Sequence, residues 1–434
     1  MSALLVGALG VAALLVVMFL RVPIGVALAA VGVCGYAAID DWRRALIMIG
    51  SVPFELASAY GLSLVPLFIL MGAIASRAGM SRELFDAANG IFSGFRGALT
   101  NATIGASAAF GAICGSSIAT AATFSKVAIP EMRRHGYDAG LAAGSVAAAG
   151  CLGILIPPSV ILAIYSIVAE ESLPKLFAAA LIPGFLLAAL YVLIVVAIAR
   201  LRPQWTPYVA PMTLAERLRS AVGLWKLALL FFLAVVGIYL GWFSPTEAAA
   251  VAAFAAAVIG FGSRKLTVRG FLDALLDTVY ATAMLFFIII GAFIFSRFIV
   301  LTQLPNELVR WVHAMGFSPL MIVLAVIVLF FLLGTFLEEV STILITVPVI
   351  LPLMVSLGYD AVWFGIFVTI MATIGLISPP VGLTVFVIQA QNPDIPVQAI
   401  YRGTVPFLVA DFALVALLIA FPAMALWLPA VLRL

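Results

Sequence analysis

Residues 120–158 read TAATFSKVAIPEMRRHGYDAGLAAGSVAAAGCLGILIPP, and residues 342–380 read TILITVPVILPLMVSLGYDAVWFGIFVTIMATIGLISPP. The two stretches align without a gap at an offset of 222 residues, with 12 of 39 positions identical. Most identities are not the Ala, Val and Leu that an apolar chain matches by accident. They are Pro130/Pro352, Met132/Met354, Gly136-Tyr137-Asp138/Gly358-Tyr359-Asp360, Gly153/Gly375 and Pro157-Pro158/Pro379-Pro380. In a hydrophobic chain, an internal repeat with paired helix breakers points to a transporter whose site lies between two related halves.

Of the 434 residues, 65% are hydrophobic and 9% charged. A soluble domain carries roughly a quarter charged residues, so this composition belongs to an integral membrane protein. The apolar runs reach the ~20 residues that span a bilayer and lack the period-2 pattern of a barrel, so the spans are helices. A net charge of +3 without a long basic run is better explained by cytoplasmic loop residues than by a nucleic-acid surface. Cys34, Cys114 and Cys151 lie in apolar segments, and an odd set of this kind is no disulfide framework. The first apolar stretch, 3–20, lacks a preceding basic region and reads as a retained helix rather than a cleaved signal.

Spans are expected at 3–20, 22–39, 63–78, 139–168, 176–199, 224–242, 246–261, 272–295, 360–389 and 406–428. Two further apolar stretches, 98–129 and 320–353, are interrupted at Gly115-Ser116-Ser117 and Gly334-Thr335. They read as re-entrant hairpins; the alternative is two pairs of ordinary short spans. Irregular backbone at membrane depth is tolerable only where protein or a wet cavity surrounds it. Basic residues in loops mark the cytoplasmic side: Arg200, Arg202, Arg217, Arg219 and Lys226, then Arg264, Lys265 and Arg269 two spans later. Counting back places Arg133-Arg134, Arg96 and Arg21 inside. Counting forward places 355–360 outside, and there the second copy lacks the basic pair. The halves therefore read as inverted: a first repeat over 1–200, a cytoplasmic linker over 201–223 and a second repeat over 224–434. Arg43 and Arg44 fall in 40–60, read as an interfacial arm.

Both Pro-Pro pairs sit midway through apolar segments, where proline removes a donor and clashes with the preceding turn, so each segment splits into two half-helices. A plain proline kink is the alternative. Unwound carbonyls near Gly153, Pro157, Gly375 and Pro379 suit a cation. The N–H groups that follow, around Ser159 and Val381-Gly382, suit a carboxylate. The first tip, with Gly115, Ser116, Ser117 and Thr120, offers a hard-oxygen cage of the kind sodium prefers; a helix-packing seam is the bland reading. The second tip holds Gly334, Thr335, Glu338, Glu339 and Thr342. Intramembrane carboxylates are costly unless paired, hydrated or functional. Glu338 aligns with Ser116 and Thr342 with Thr120, so Glu338 is the expected inward residue, against the alternative that both carboxylates face outside water. Asp411 reads as an interhelical hydrogen-bond acceptor, and Glu247 as a residue of a helix start. His135 and His313 are isolated and no Walker A sequence occurs, so enzyme and ATPase readings are poor.

The strings GSSIATAATFSKVAIPEMRRHGYD, GILIPPSVILAIYSIVAEESLPKLFAAALIPG, GTFLEEVSTILITVPVILPLMVSLGYD and IGLISPPVGLTVFVIQ resemble the large permease subunit of tripartite ATP-independent periplasmic (TRAP) transporters. The resemblance covers nearly the whole chain. It implies an all-α polytopic, inverted-repeat, elevator-type carrier in a bacterial inner membrane, importing organic acids such as C4-dicarboxylates or sugar acids. It implies no cofactor, with sodium as the coupling ion. The implied partners are a small membrane subunit of about four helices and a periplasmic solute-binding protein, neither encoded here. Carried over by position, sodium ligation falls on Gly115, Ser116, Thr120, Gly153, Pro157, Gly334, Glu338, Thr342, Gly375 and Pro379. Solute contact falls on Ser116, Ser117, Ser159, Thr335, Thr373 and Gly382. Many relatives have an Asn shortly before the second Gly-x-x-[Ser/Thr]-Pro-Pro. Here Met371-Ala372-Thr373 stands there, so Thr373 replaces the amide or the solute class differs. A self-sufficient sodium–carboxylate symporter is the runner-up, and a channel or membrane scaffold the third reading.

Overall fold

The computed structural model describes residues 3–434 and is built from helices that the repeated motifs start and stop. The chain opens with α1 (Ala3–Phe19), α2 (Ile24–Ile39), α3 (Trp42–Ser58), α4 (Leu64–Arg77) and α5 (Met80–Phe92). Next come α6 (Ala98–Cys114), α7 (Ser117–Arg134), α8 (Ala139–Leu152), α9 (Val160–Val168) and α10 (Leu173–Leu201). The middle holds α11 (Leu214–Ala221), α12 (Leu224–Phe231), a wide turn at Phe232–Val236, α13 (Gly237–Tyr239) and α14 (Pro245–Gly262). Then follow α15 (Val268–Leu301), α16 (Leu304–Met315), α17 (Pro319–Phe336), α18 (Glu339–Ser356), α19 (Ala361–Ile377), α20 (Leu383–Gln391), α21 (Val397–Ala420) and α22 (Ala423–Val431). Among the described residues, eight helices are long and apolar enough to cross a membrane.

The Gly-Tyr-Asp triplet does the same work twice. Gly136 (φ 77°) and Gly358 (φ 89°) adopt the left-handed conformation that ends a helix without a Cβ penalty. The next amides close the end: Tyr137 N donates to Met132 O at 3.0 Å and Tyr359 N to Met354 O at 3.1 Å. Asp138 then caps α8 by accepting from Leu141 N, and Asp360 caps α19 by accepting from Val362 N. The copies match in length, since α18 equals α7 with both ends shifted by 222 residues.

Contacts repeat as well. α7 packs on α8 and α18 on α19; α9 packs on α18 and α20 on α7; α8 meets α19. Exchanging the two copies maps this pattern onto itself, as a two-fold relation requires. The centre is dry: α8 is buried from Gly140 to Leu152 and α19 from Val362 to Ile377. A helix apolar all round belongs in such a place.

Several expectations change in detail. The second interruption falls at Leu337-Glu338 rather than Gly334-Thr335. Gly334 stays helical, and its job is close packing against Gly375. The last expected span divides into α21 and α22 and begins earlier, at Val397. Asp411 therefore lies mid-helix, where it accepts from Tyr191 Oη at 2.7 Å, the expected interhelical bond. The arm is the amphipathic α3, capped by Asp41 and burying Ala45, Met48, Val52 and Leu56 along one face. Ser244 and Glu247 form a capping box at the start of α14.

Candidate functional site

Each tip starts a helix. Gly115 (φ 65°) ends α6, and Ser116 caps α7 by accepting from Ala119 N at 3.3 Å. A Cβ on Gly115 would lie 2.7 Å from Val160 Cγ2, so only glycine lets this tip sit against the start of α9. Glu338 occupies the cap position of α18, and its Oε1 accepts from Ser341 Oγ at 3.4 Å.

Between the tips, Ser117 Oγ donates to Glu339 Oε1 at 3.3 Å. These residues are 222 apart, the repeat offset, so equivalent positions touch each other and the bond lies on the two-fold relation. Both are buried, and Glu339 Oε2 has no hydrogen-bond partner among the described residues. The carboxylate buried between the tips is thus Glu339. The expected inward residue, Glu338, is half-buried at the helix cap. A shift by one position along a helix turns a side chain about 100°, which is why alignment to Ser116 selected the neighbour.

Both carboxylates line a cavity of 590 Å³ together with Gly115, Ser116 and Val160. Another part of its wall comes from α4 and α15, through Gly72, Ser76, Arg77, Asp277 and Met284. Three helix N-termini, those of α7, α9 and α18, start at or beside this space, and their dipoles favour an anion there. The chemistry offered is hydroxyls, carbonyls and carboxylates for a hard cation, beside N–H ends for a carboxylate.

The sequence-assigned residues divide into groups. Gly115, Ser116 and Glu338 line the cavity, and Ser117 reaches it through Glu339. Thr120 is buried next to the Cys114 thiol, with no hydrogen-bond partner for its hydroxyl among the described residues, while Thr342 donates to Glu338 O at 3.0 Å. Gly153, Pro157 and Ser159 are buried behind the first tip. Gly153 packs on Gly111, and Ser159 caps α9 by accepting from Leu162 N. Thr335, Gly334, Thr373, Gly375, Pro379 and Gly382 form a second cluster away from the lining. There Gly382 N donates to Thr335 O at 3.3 Å, so that amide is occupied rather than free. Thr373 Oγ1 donates to Ile370 O within its own helix.

Sequence reasoning missed the α4 and α15 wall, for which no motif exists. It also missed Glu339, which the offset from Ser117 would have found.

Residues 11–424 match the family model described as "Tripartite ATP-independent periplasmic transporter, DctM component". The C4-dicarboxylate TRAP transporter large permease protein DctM of Pseudomonas aeruginosa is 38% identical, over 87% of this chain and 88% of its own length. The sialic acid TRAP transporter large permease protein SiaM of Vibrio cholerae is 32% identical, over 84% of this chain and 85% of its own. Among solved structures, the YdaH transporter of Alcanivorax borkumensis superposes with a TM-score of 0.65, covering 88% of this chain and 90% of its own, at 15% identity. That last likeness concerns the fold alone.

Proposed function

Because the chain belongs to the DctM components of the tripartite ATP-independent periplasmic transporter family, we propose that it is the large membrane subunit of a sodium-coupled importer of organic acids. It is a multi-pass transporter permease and not an enzyme. The solute class is a C4-dicarboxylate or a sugar-acid-like anion, in line with what the relatives from P. aeruginosa and V. cholerae are named for. The membrane is the bacterial inner membrane. A small membrane subunit and a periplasmic binding protein complete the system.

The carrying observation is the Ser117–Glu339 bond across the repeat relation, beside a cavity that both tips line. An ionised carboxylate buried with one oxygen unpartnered is costly in an apolar surround. A cation at the tips removes that cost, and hydroxyl and carbonyl oxygens around Ser116 and Glu338 complete a sodium-type shell. An anionic solute meets Glu338 and Glu339 as repulsion until the cation has arrived, which puts sodium first. The solute carboxylate then meets the N-terminal ends of α7 and α9.

In this reading α6–α7 and α17–α18 are re-entrant hairpins from opposite sides of the membrane, and the repeats over 1–200 and 224–434 are inverted. The tips travel with α8, α9, α19 and α20 past the α4–α15 wall, an elevator motion. Loaded and empty carriers differ in the charge they expose, and ligands shift such states only by their differential affinity.

The test is reconstitution of the permease with its small subunit and binding protein in proteoliposomes. Accumulation of labelled succinate or sialic acid driven by an inward sodium gradient, and abolished by collapsing it, is expected. Uptake indifferent to sodium contradicts the coupling.

A further inference from the structure

The cavity carries one cation among its described lining residues, Arg77, on the part of its wall that α4 and α15 supply. Its Nη2 lies 2.5 Å from Asp277 Oδ2 and its Nη1 3.3 Å from Asp273 Oδ2, the two aspartates standing one turn apart on α15. These groups are wet: the side chains of Arg77, Asp273 and Asp277 are 34%, 45% and 59% exposed. Ion pairs this exposed contribute little to stability. Holding α4 to α15 is therefore a weak reason for the trio. Burial of Leu64, Val65, Phe68, Met71 and Ile74 along α4 anchors that helix without it.

A guanidinium offers five N–H donors in a planar fork suited to carboxylates. The two aspartate bonds use one donor on each terminal nitrogen, and three remain. Every other charge lining the cavity is negative: Asp277, Glu338 and Glu339. An anion released from the tips thus finds one attractive group, and that group is already shared with two competitors. Arg77 ends α4 and Asp273 lies near the start of α15, the ends that the Arg264, Lys265 and Arg269 loop marks as cytoplasmic.

Resting on the function proposed above, we infer that Arg77 is the contact a solute carboxylate makes between the tips and the cytoplasm, with Asp273 and Asp277 competing for the guanidinium and setting how quickly the anion leaves. The trio stands on the wall that stays still, so it acts on the solute only when the tips face this cavity. It tunes affinity on one face of the membrane and leaves the other face alone.

The experiment uses the complete transporter in proteoliposomes and labelled succinate counterflow, with half-saturation measured separately from each face. Sodium-dependent counterflow by the unaltered protein is required first, and its absence overturns the function and this inference together. Given that activity, Arg77→Gln should raise half-saturation on the cytoplasmic face about three- to fivefold, the factor an exposed ion pair supplies. Sodium activation and half-saturation on the periplasmic face should not move. Arg77→Lys should recover part of the loss. Asp277→Asn should act with the opposite sign, lowering cytoplasmic half-saturation and slowing maximal exchange, a result misfolding does not produce. Asp273→Asn, at the longer contact, should do so less. Equal shifts on both faces, no shift in Arg77→Gln, or shifts of the same sign in Arg77→Gln and Asp277→Asn would overturn the inference and leave the transport function standing.

Discussion

The two breaks that the repeat makes equivalent are not equally packed. At the first, Pro157, Pro158 and Ser159 are all buried and Gly115 is pressed against Val160. At the second, Pro379 and Pro380 are exposed, and the loop is held from outside by Tyr401, whose hydroxyl donates to Pro380 O at 3.0 Å and Val381 O at 2.6 Å. The hydroxyls divide in the same way. Thr342 is satisfied by the Glu338 carbonyl, whereas its counterpart Thr120 has no hydrogen-bond partner among the described residues. The two copies share the backbone devices, while unlike side chains fill the surroundings of each break. One half presents a packed tip with an unsatisfied hydroxyl, the other an exposed loop with a buried carboxylate.

The largest expected effect tests the packing side of that contrast. A Cβ on Gly111 would lie 2.5 Å from Gly153 Cα, while one on Gly334 would lie 3.1 Å from Gly375 Cα. Gly111→Ala should therefore destabilise by about 1–3 kcal/mol as overpacking against backbone, and Gly334→Ala by clearly less. Thermal unfolding of the detergent-purified variants checks this, and equal losses would break the asymmetry. The hydroxyl contrast is smaller. Thr342→Val should cost about 1 kcal/mol for its lost hydrogen bond, and Thr120→Val close to nothing in the absence of sodium. With sodium added, Thr120→Val should lose the stabilisation that the unaltered protein gains, which assigns the idle hydroxyl to the ion.

The smallest effect lies outside both breaks and calibrates the others. Glu83, on the short amphipathic α5, pairs with Lys226 at 2.8 Å and Lys265 at 2.6 Å. Burial pushes its carboxyl up, but the hydrogen bonds from the two lysines outweigh burial and hold its pKa below the ordinary carboxylate value. A carboxyl whose pKa is lower in the folded state contributes stability above its unfolded pKa of about 4.3 and loses it as pH falls through the folded value. Glu83→Gln should thus be less stable at neutral pH by about 1 kcal/mol, and the difference should shrink below about pH 4. A pH-independent difference in melting temperature would contradict the ion-pair account.

Much of this architecture is legible in the sequence because the repeat fixes its registers. The Pro-Pro pairs announce the breaks between α8 and α9 and between α19 and α20, while the helix end and cap that each Gly-Tyr-Asp builds emerge only in the structure. Reading went astray where one residue type serves two purposes. Gly334 looks like a helix breaker, yet within an apolar helix it is a close-packing residue, and the helix ends instead at Phe336, with Leu337 extended before the cap position of Glu338. Glu338 and Glu339 share composition and depth, so only helical phase separates the half-buried one from the buried one. The Arg77–Asp277 wall was illegible because it comes from helices outside the aligned stretch, joined by a contact 200 residues apart in sequence.

In the proposed function the coupling cation binds where equivalent positions of the two repeats meet, at Ser117 and Glu339. The most direct test is the sodium dependence of succinate counterflow in Glu339→Gln and Glu338→Gln, each compared with the unaltered transporter in proteoliposomes. Glu339→Gln should shift sodium activation by at least about tenfold, the scale of removing a buried charge partner, and Glu338→Gln clearly less. Normal sodium activation in Glu339→Gln, or a larger shift in Glu338→Gln, would contradict this placement.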